Sequence, residues 1–255
     1  YIRNIIKKNK ISFTMMVPSQ LDKIFKKKNI KEKIILRNLV SSSSTLSLKL
    51  KKRVLNNING NFHECFGSSE TSIISNINYS KDIKNLNTLG KQIKNVIIKI
   101  NSKGELLCKS PLMFSGYLNK NKINKHLKNN FFNTGDIISV NKKKYLTFKS
   151  RSKEIMKIGS ISVYPKDIEK VLLNNQFIAN CLVFSIKDKS LEDKIVALIQ
   201  KRPRSTLTKR DILHYCHDKI ENYQIPNIIK FIKKIPSNSM GKINIISLKK
   251  KLFDQ

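Results

Sequence analysis

No apolar run in this 255-residue chain approaches the ~18 residues that a membrane-crossing helix needs, so a helical span is excluded. Cysteine is scarce. Cys65, Cys108, Cys181 and Cys216 form no CxxC pair and sit in apolar or helical sequence, so they read as reduced, mostly buried thiols of a cytoplasmic protein. Only eight glycines occur, and they nowhere gather into a phosphate-cradling loop. Gly241-Lys242 lacks the upstream glycine of a Walker loop, and Ile243 stands where Ser or Thr should follow. Tryptophan is absent, which decides nothing. Acidic residues are few, 17 against 51 Lys+Arg, for a net charge of +34. Such an imbalance ordinarily suggests nucleic acid or an anionic membrane surface. Here the lysine is dispersed among Asn and Ile, as in Ile123–Lys125 and Lys242–Ile245, and is not interleaved with stacking aromatics. A solvated surface is the expectation, with no specific nucleic-acid partner. The chain opens on Tyr1 without the charge, apolar core and small-residue order of a signal peptide, and reads as an internal piece of a longer protein.

What is present is an ordered alternation of strand and helix signals. Ser12–Val17 reads as a strand, and Pro18-Ser19 as the start of a helix through Phe25. Ile34–Leu36 and Leu39-Val40 lead into Ser41-Ser42-Ser43-Ser44-Thr45, and a helix over Leu46–Leu55 is expected to end at Asn59-Gly60. Phe62–Phe66 is a strand, followed by Gly67-Ser68-Ser69-Glu70-Thr71. This alternation predicts a parallel or mixed α/β sheet with ligands at the strand ends. After Leu89-Gly90 the period becomes two: Val96–Ile100 and Glu105–Cys108 form one hairpin, and Ile137–Val140 with Tyr145–Phe148 a second. A polar helix is expected over residues 120–128.

Beyond Lys149 a smaller unit begins. Helices over Lys166–Leu173 and from the Thr208-x-x-Asp211 cap to Glu221, with strands over Asn180–Ile186, Lys194–Ile199 and Ile228–Ile232, predict a compact α+β domain. The fold class is therefore α/β: a mixed sheet with a small β-hairpin subdomain over residues 1–149, then a small α+β domain over 150–255. His214 and His217 share a helix face but have no third ligand at metal spacing nearby.

The stretch around which the chain is organised runs from Asn133-Thr134-Gly135-Asp136 to the Pro165-led helix start. A carboxylate on a glycine turn, Asp136, followed by Arg151 at the next strand's end, suits a diol-bearing anionic ligand such as a nucleotide ribose. Alone, Thr-Gly-Asp is also ordinary turn chemistry.

In order, the pieces resemble the adenylate-forming superfamily of acyl-CoA synthetases, aryl-acid ligases, luciferases and peptide-synthetase adenylation domains, and are closest to fatty-acyl-CoA ligases. Phe66–Thr71 is similar to its Tyr-Gly-x-Thr-Glu motif, Gly104–Leu106 with Ser115-Gly116-Tyr117 to its Gly-Glu-Leu … Gly-Tyr segment, and Thr134-Gly135-Asp136 to its Thr-Gly-Asp. Ser150–Glu154 with Tyr164–Glu169, and Pro236 with Met240–Ile243, resemble its hinge and closing elements. The resemblance implies that a carboxylic acid is activated with ATP and Mg²⁺ as an acyl-adenylate, then passed to coenzyme A or a carrier-protein thiol. It gives Lys242 the catalytic role, Glu70 the metal, and Ser41, Ser42, Ser43, Phe66, Gly67, Ser68, Ser69, Asp136 and Arg151 the nucleotide. Lys153 falls at the hinge, and Gly159 and Ser160 in the loop facing the thiol. Ser69 replaces the family's Thr, Phe66 its Tyr, Ser150 its Gly and Glu154 its Asp. The family's first half, with its phosphate loop, has no counterpart here, so the chain alone is not expected to catalyse. A non-catalytic remnant or binding module of the same fold is the alternative.

Overall fold

The computed structural model describes residues 2–26, 32–118, 127–187, 193–238 and 243–253. The chain divides between Phe148 and Lys149 into two compact units.

The first unit opens with α1 (Ile2–Lys8), β1 (Phe13–Met16), α2 (Pro18–Ile24), β2 (Ile34–Ser41), α3 (Leu48–Asn57), β3 (Ile58–Ser68), β4 (Ser72–Asn78) and β5 (Lys91–Gln92). The sheet order is β1-β2-β3-β4-β5, parallel across β1–β3 and antiparallel from β3 to β5. The parallel pairs follow from the helical crossovers α2 and α3, which return the chain to the same sheet edge. Pro18 at the first helical turn and the Val17 N–H donating to the Gln20 side-chain Oε1 (3.1 Å) start α2; the Ser47 hydroxyl, accepting from the Leu50 amide at 3.2 Å, caps α3. Leu21, Phe25, Leu39, Leu50, Val54 and Phe62 are buried together between these helices and one face of the sheet.

A second sheet, ordered β10-β9-β7-β6, is built from β6 (Ile97–Ile100), β7 (Glu105–Lys109), β8 (Leu127–Lys128, paired to β9), β9 (Phe131–Val140) and β10 (Leu146–Arg151). Its core joins Ile74 and Leu89 to Leu106, Cys108, Ile138 and Leu146.

In the second unit, β11 (Met156–Ile158) and β12 (Ile161–Val163) form a hairpin before α4 (Pro165–Asn174), β13 (Ile178–Lys187), β14 (Asp193–Lys201), α5 (Lys209–His217), β15 (Ile228–Phe231) and α6 (Ile245–Phe253). β13 and β14 are antiparallel, and β15 is parallel to β14. The odd residues Cys181, Val183, Ile195 and Ala197 pack with α4 and α5, while the even residues Leu182, Phe184, Val196 and Leu198 pack with Leu248 of α6. Burial of both faces explains why these strands read as unbroken apolar runs.

The structure corrects several expectations. α3 passes into β3 without a turn at Asn59-Gly60, because Gly60 (φ 141°) lies inside the strand where a Cβ would strike the Leu36 carbonyl. Asn133–Asp136 is a bulge within β9, not a turn between elements: the register jumps from Glu105↔Ile137 to Leu107↔Asn133. α5 stops at His217 rather than Glu221, and the second unit has a further helix, α6. Of the helix expected over residues 120–128, most lies outside the described residues, and Leu127–Lys128 is strand.

Candidate nucleotide-binding site

The site grows from the C-terminal ends of β2 and β3. Parallel register sets Ser41, the last residue of β2, beside Glu64 of β3, and alternation returns the Phe66 side chain to the same face two residues on. Ser41 is fully buried, and its hydroxyl has no hydrogen-bond partner among the described residues. A buried hydroxyl left unpaired is costly, so it calls for a partner, whether a ligand atom or an ordered water. Ser42 is half-buried and Ser43 exposed, with a left-handed backbone (φ 81°) that turns the loop.

Beyond the half-buried Phe66, which packs one side against the Ile74–Leu146 core, the chain reverses at Ser69-Glu70. Gly67 is required there: a Cβ would lie 1.9 Å from the Ser72 carbonyl oxygen. Ser68 and Thr71 tie the turn reciprocally. The Ser68 amide donates to the Thr71 hydroxyl at 3.1 Å, and the Thr71 amide to the Ser68 hydroxyl at 3.3 Å. Ser69 is exposed and Glu70 half-buried at the tip. The Tyr117 hydroxyl donates to Glu70 Oε1 at 2.7 Å, and the Phe114 amide donates to the Glu70 carbonyl at 2.9 Å.

Phe114 also stacks edge-on against Tyr117 (4.9 Å between centroids) and Phe132 (5.5 Å). Phe132 lies on β9, the strand that carries Asp136, so aromatic packing links the Glu70 turn to that strand. Asp136 is 3% exposed. Its bulge is stitched to β7: Thr134 accepts from the Asp136 amide (3.1 Å) and donates to the Leu106 carbonyl (2.9 Å), while Asn133 donates to Glu105 (2.9 Å). Gly135 supplies the φ of 68° that the bulge needs.

The remaining positions belong to the second unit. Arg151 ends β10 and is exposed; Lys153 is exposed in the short 3₁₀ turn Ser152–Glu154; Gly159 (φ 57°) and Ser160 are exposed at the β11–β12 hairpin turn. Lys242 lies outside the described residues. Glu70 with the surrounding hydroxyls is an all-oxygen donor set, which suits a hard cation such as Mg²⁺.

A family model described as AMP-binding enzyme matches residues 2–118, and one described as AMP-binding enzyme C-terminal domain matches residues 167–242. The chain belongs to the AMP-binding enzyme family. The chain is 27% identical over 240 residues to the malonate–CoA ligase of Arabidopsis thaliana, covering 86% of this chain and 39% of that one. Among solved structures, ATP-bound MatB from Rhodopseudomonas palustris superposes with a TM-score of 0.89 at 19% identity, over 100% of this chain and 53% of that chain. The o-succinylbenzoate CoA synthetase of Bacillus subtilis, in complex with its acyl-adenylate intermediate, gives 0.84 at 20%, over 97% and 53%. The chain thus spans about half the length of the relatives it matches, or less.

Two features of the chain are not carried by its motifs. Tyr117 stands in the Gly-Tyr motif, yet only folding reveals its bond to Glu70. Glu64 alternates with Phe62 and Phe66 on the inward face of β3, and a glutamate in that register is a sequence signal for a buried partner.

Proposed function

We propose that this chain supplies the adenine-side half and the C-terminal domain of an ATP-dependent carboxylic acid–thiol ligase. In the first step an acid carboxylate oxygen attacks the α-phosphorus of ATP, forming the acyl-adenylate mixed anhydride and expelling pyrophosphate. In the second, a coenzyme A thiol attacks the acyl carbonyl and AMP leaves.

Each residue has a physical task. Phe66, half-buried beside the turn, stacks on the adenine. Ser41–Ser43 and Ser69 provide hydroxyl donors, and Ser68 holds the turn that presents Ser69. Asp136 accepts from the ribose hydroxyls, and Arg151 adds a planar fork of donors. Glu70, aimed by Tyr117, would hold Mg²⁺, which offsets phosphate charge when bound. Lys242 places an ammonium where negative charge gathers between carboxylate and phosphate. Lys153 is the pivot and Gly159-Ser160 the thiol-side turn. The acid class proposed is a fatty acid, from the Ser110–Tyr117 segment.

The observation that carries the reading is the pairing of Ser41's unpartnered buried hydroxyl with the Phe66–Glu70 turn on the adjoining strand. The test joins this chain to the N-terminal half that its relatives carry and incubates the completed protein with ATP, Mg²⁺, coenzyme A and a panel of fatty, dicarboxylic and aryl acids. Acid-dependent pyrophosphate release and a thioester product are expected, and Lys242→Ala should abolish both. Adenine-nucleotide binding without pyrophosphate release would mark a binding module instead. No nucleotide binding would overturn the reading.

A further inference from the structure

We propose that Glu64, together with Lys51 and Tyr79, is a positioning device for the nucleotide site: a buried ionic strut that fixes the serine loop relative to the Phe66–Glu70 turn. The inference rests on the nucleotide reading above for its purpose, but not for its geometry.

Glu64, Lys51 and Tyr79 are 3%, 4% and 0% exposed. Lys51 Nζ lies 2.8 Å from Glu64 Oε2, donates to the Leu86 carbonyl at 2.9 Å, and donates to the Tyr79 hydroxyl. All three ammonium hydrogens therefore have acceptors. The Tyr79 hydroxyl donates in turn to Glu64 Oε2. Burial first, then the Glu64 charge, push the Tyr79 phenol far above its ordinary value, so it stays a donor.

The second carboxylate oxygen closes the arrangement. Glu64 Oε1 accepts from the Leu46 amide at 3.4 Å, while the Glu64 backbone registers with Ser41. The loop from Ser41 to Leu46 therefore begins and ends on one residue. That residue lies on the strand leading directly into Phe66–Glu70. Lys51 extends the hold to α3, and Tyr79, Leu86 and the Thr88 carbonyl (3.0 Å from the Tyr79 hydroxyl) extend it to the segment after β4.

Packing alone does not call for such a group. A buried ion pair is poor value for stability compared with apolar residues of the same volume, whereas its directional bonds define one geometry. Here the geometry it defines is the spacing between two nucleotide-contacting loops.

The test uses the double variant Lys51→Met/Glu64→Gln, which removes both charges together and leaves neither buried alone, and Tyr79→Phe, which keeps the ring. Amide exchange in residues 42–46 is expected to quicken by about tenfold or more in the double variant, with β13–β14 amides unchanged as an internal control. Affinity for the fluorescent probe mant-ATP is expected to fall by about tenfold in the folded double variant, with a smaller loss in Tyr79→Phe. A purely structural pair would lower the melting temperature while leaving both loop exchange and the affinity of the folded protein unchanged, and that outcome overturns the proposal. A wild-type protein that binds no adenine nucleotide sinks the ligase reading alone, since loop exchange then decides the strut.

Discussion

Tyr117 gives its phenolic hydrogen to Glu70 Oε1 at 2.7 Å, joining two residues 47 apart in the chain. The same segment is fixed a second time by the Phe114 amide on the Glu70 carbonyl. The bond helps to hold the Glu70 carboxylate in one orientation at the tip of its hairpin.

Tyr117→Phe is therefore expected to leave the fold intact and weaken Mg²⁺-dependent nucleotide binding. A hydrogen bond to a charged group contributes about 1.5–3 kcal/mol, or roughly 10- to 100-fold in affinity. Binding measured with and without Mg²⁺ checks it, because the loss should appear only with the metal. The phenol also reports on itself: burial, then the bond and charge of Glu70, push Tyr117 up to about 12. A raised folded-state value means a stabilising contribution that is complete below the ordinary 10.0 and lost as pH rises through about 12. Ultraviolet titration of the wild type should show this late ionisation, absent from Tyr117→Phe.

Ser41→Ala should separate stability from binding. The Ser41 hydroxyl is buried without a partner among the described residues, so deleting it removes a desolvation cost of about 1–3 kcal/mol. The melting temperature of the ligand-free protein is expected to rise or hold, while nucleotide affinity falls. A loss of stability without a loss of affinity would remove Ser41 from the site.

The sequence showed the site's parts more clearly than their joints. Strand–helix alternation from Ser12 to Phe66 displayed the sheet because parallel strands under helices carry dense apolar signals. Thr134-Gly135-Asp136 was legible as a motif but misleading as a turn, since a bulge uses the same Gly and Asx chemistry inside a strand. α6 was missed because Leu248 is the one buried residue of Ile245–Phe253 and its polar residues, Ser247 and three lysines, look like the surface elsewhere. The Tyr117–Glu70 bond joins positions whose proximity depends on two sheets meeting, which no local pattern encodes.

Gly67→Ala tests the turn itself. The Cβ would sit 1.9 Å from the Ser72 carbonyl oxygen, a backbone atom that cannot swing aside. Overpacking of this kind costs about 1–3 kcal/mol, and relief requires the β3–β4 turn to open, moving Phe66 and Glu70 together. Denaturant unfolding should show the stability loss, and nucleotide binding should fail even where the variant is fully folded.

The second unit offers a pH test free of nucleotide chemistry. Thr208 caps α5 reciprocally: its hydroxyl accepts from the Asp211 amide (3.2 Å), and Asp211 accepts from the Thr208 amide (2.8 Å) and hydroxyl (2.7 Å). These bonds, the hydroxyl's first, hold the Asp211 carboxyl below its ordinary 3.8. A depressed folded-state value means stability that is present above 3.8 and lost as pH falls through the lower folded value. Replacing Thr208 by Ala removes both the cap and the cause of the depression. At neutral pH the loss should be about 1 kcal/mol, as for other N-caps, and it should shrink as the solution is acidified toward the folded-state value. Because the buried clusters of the two units share no residue, amide exchange in β13–β14 should register the change while β2–β3 does not. Equal responses in both units would mean that they unfold as one cooperative body, and each stability prediction above would then apply to the whole chain.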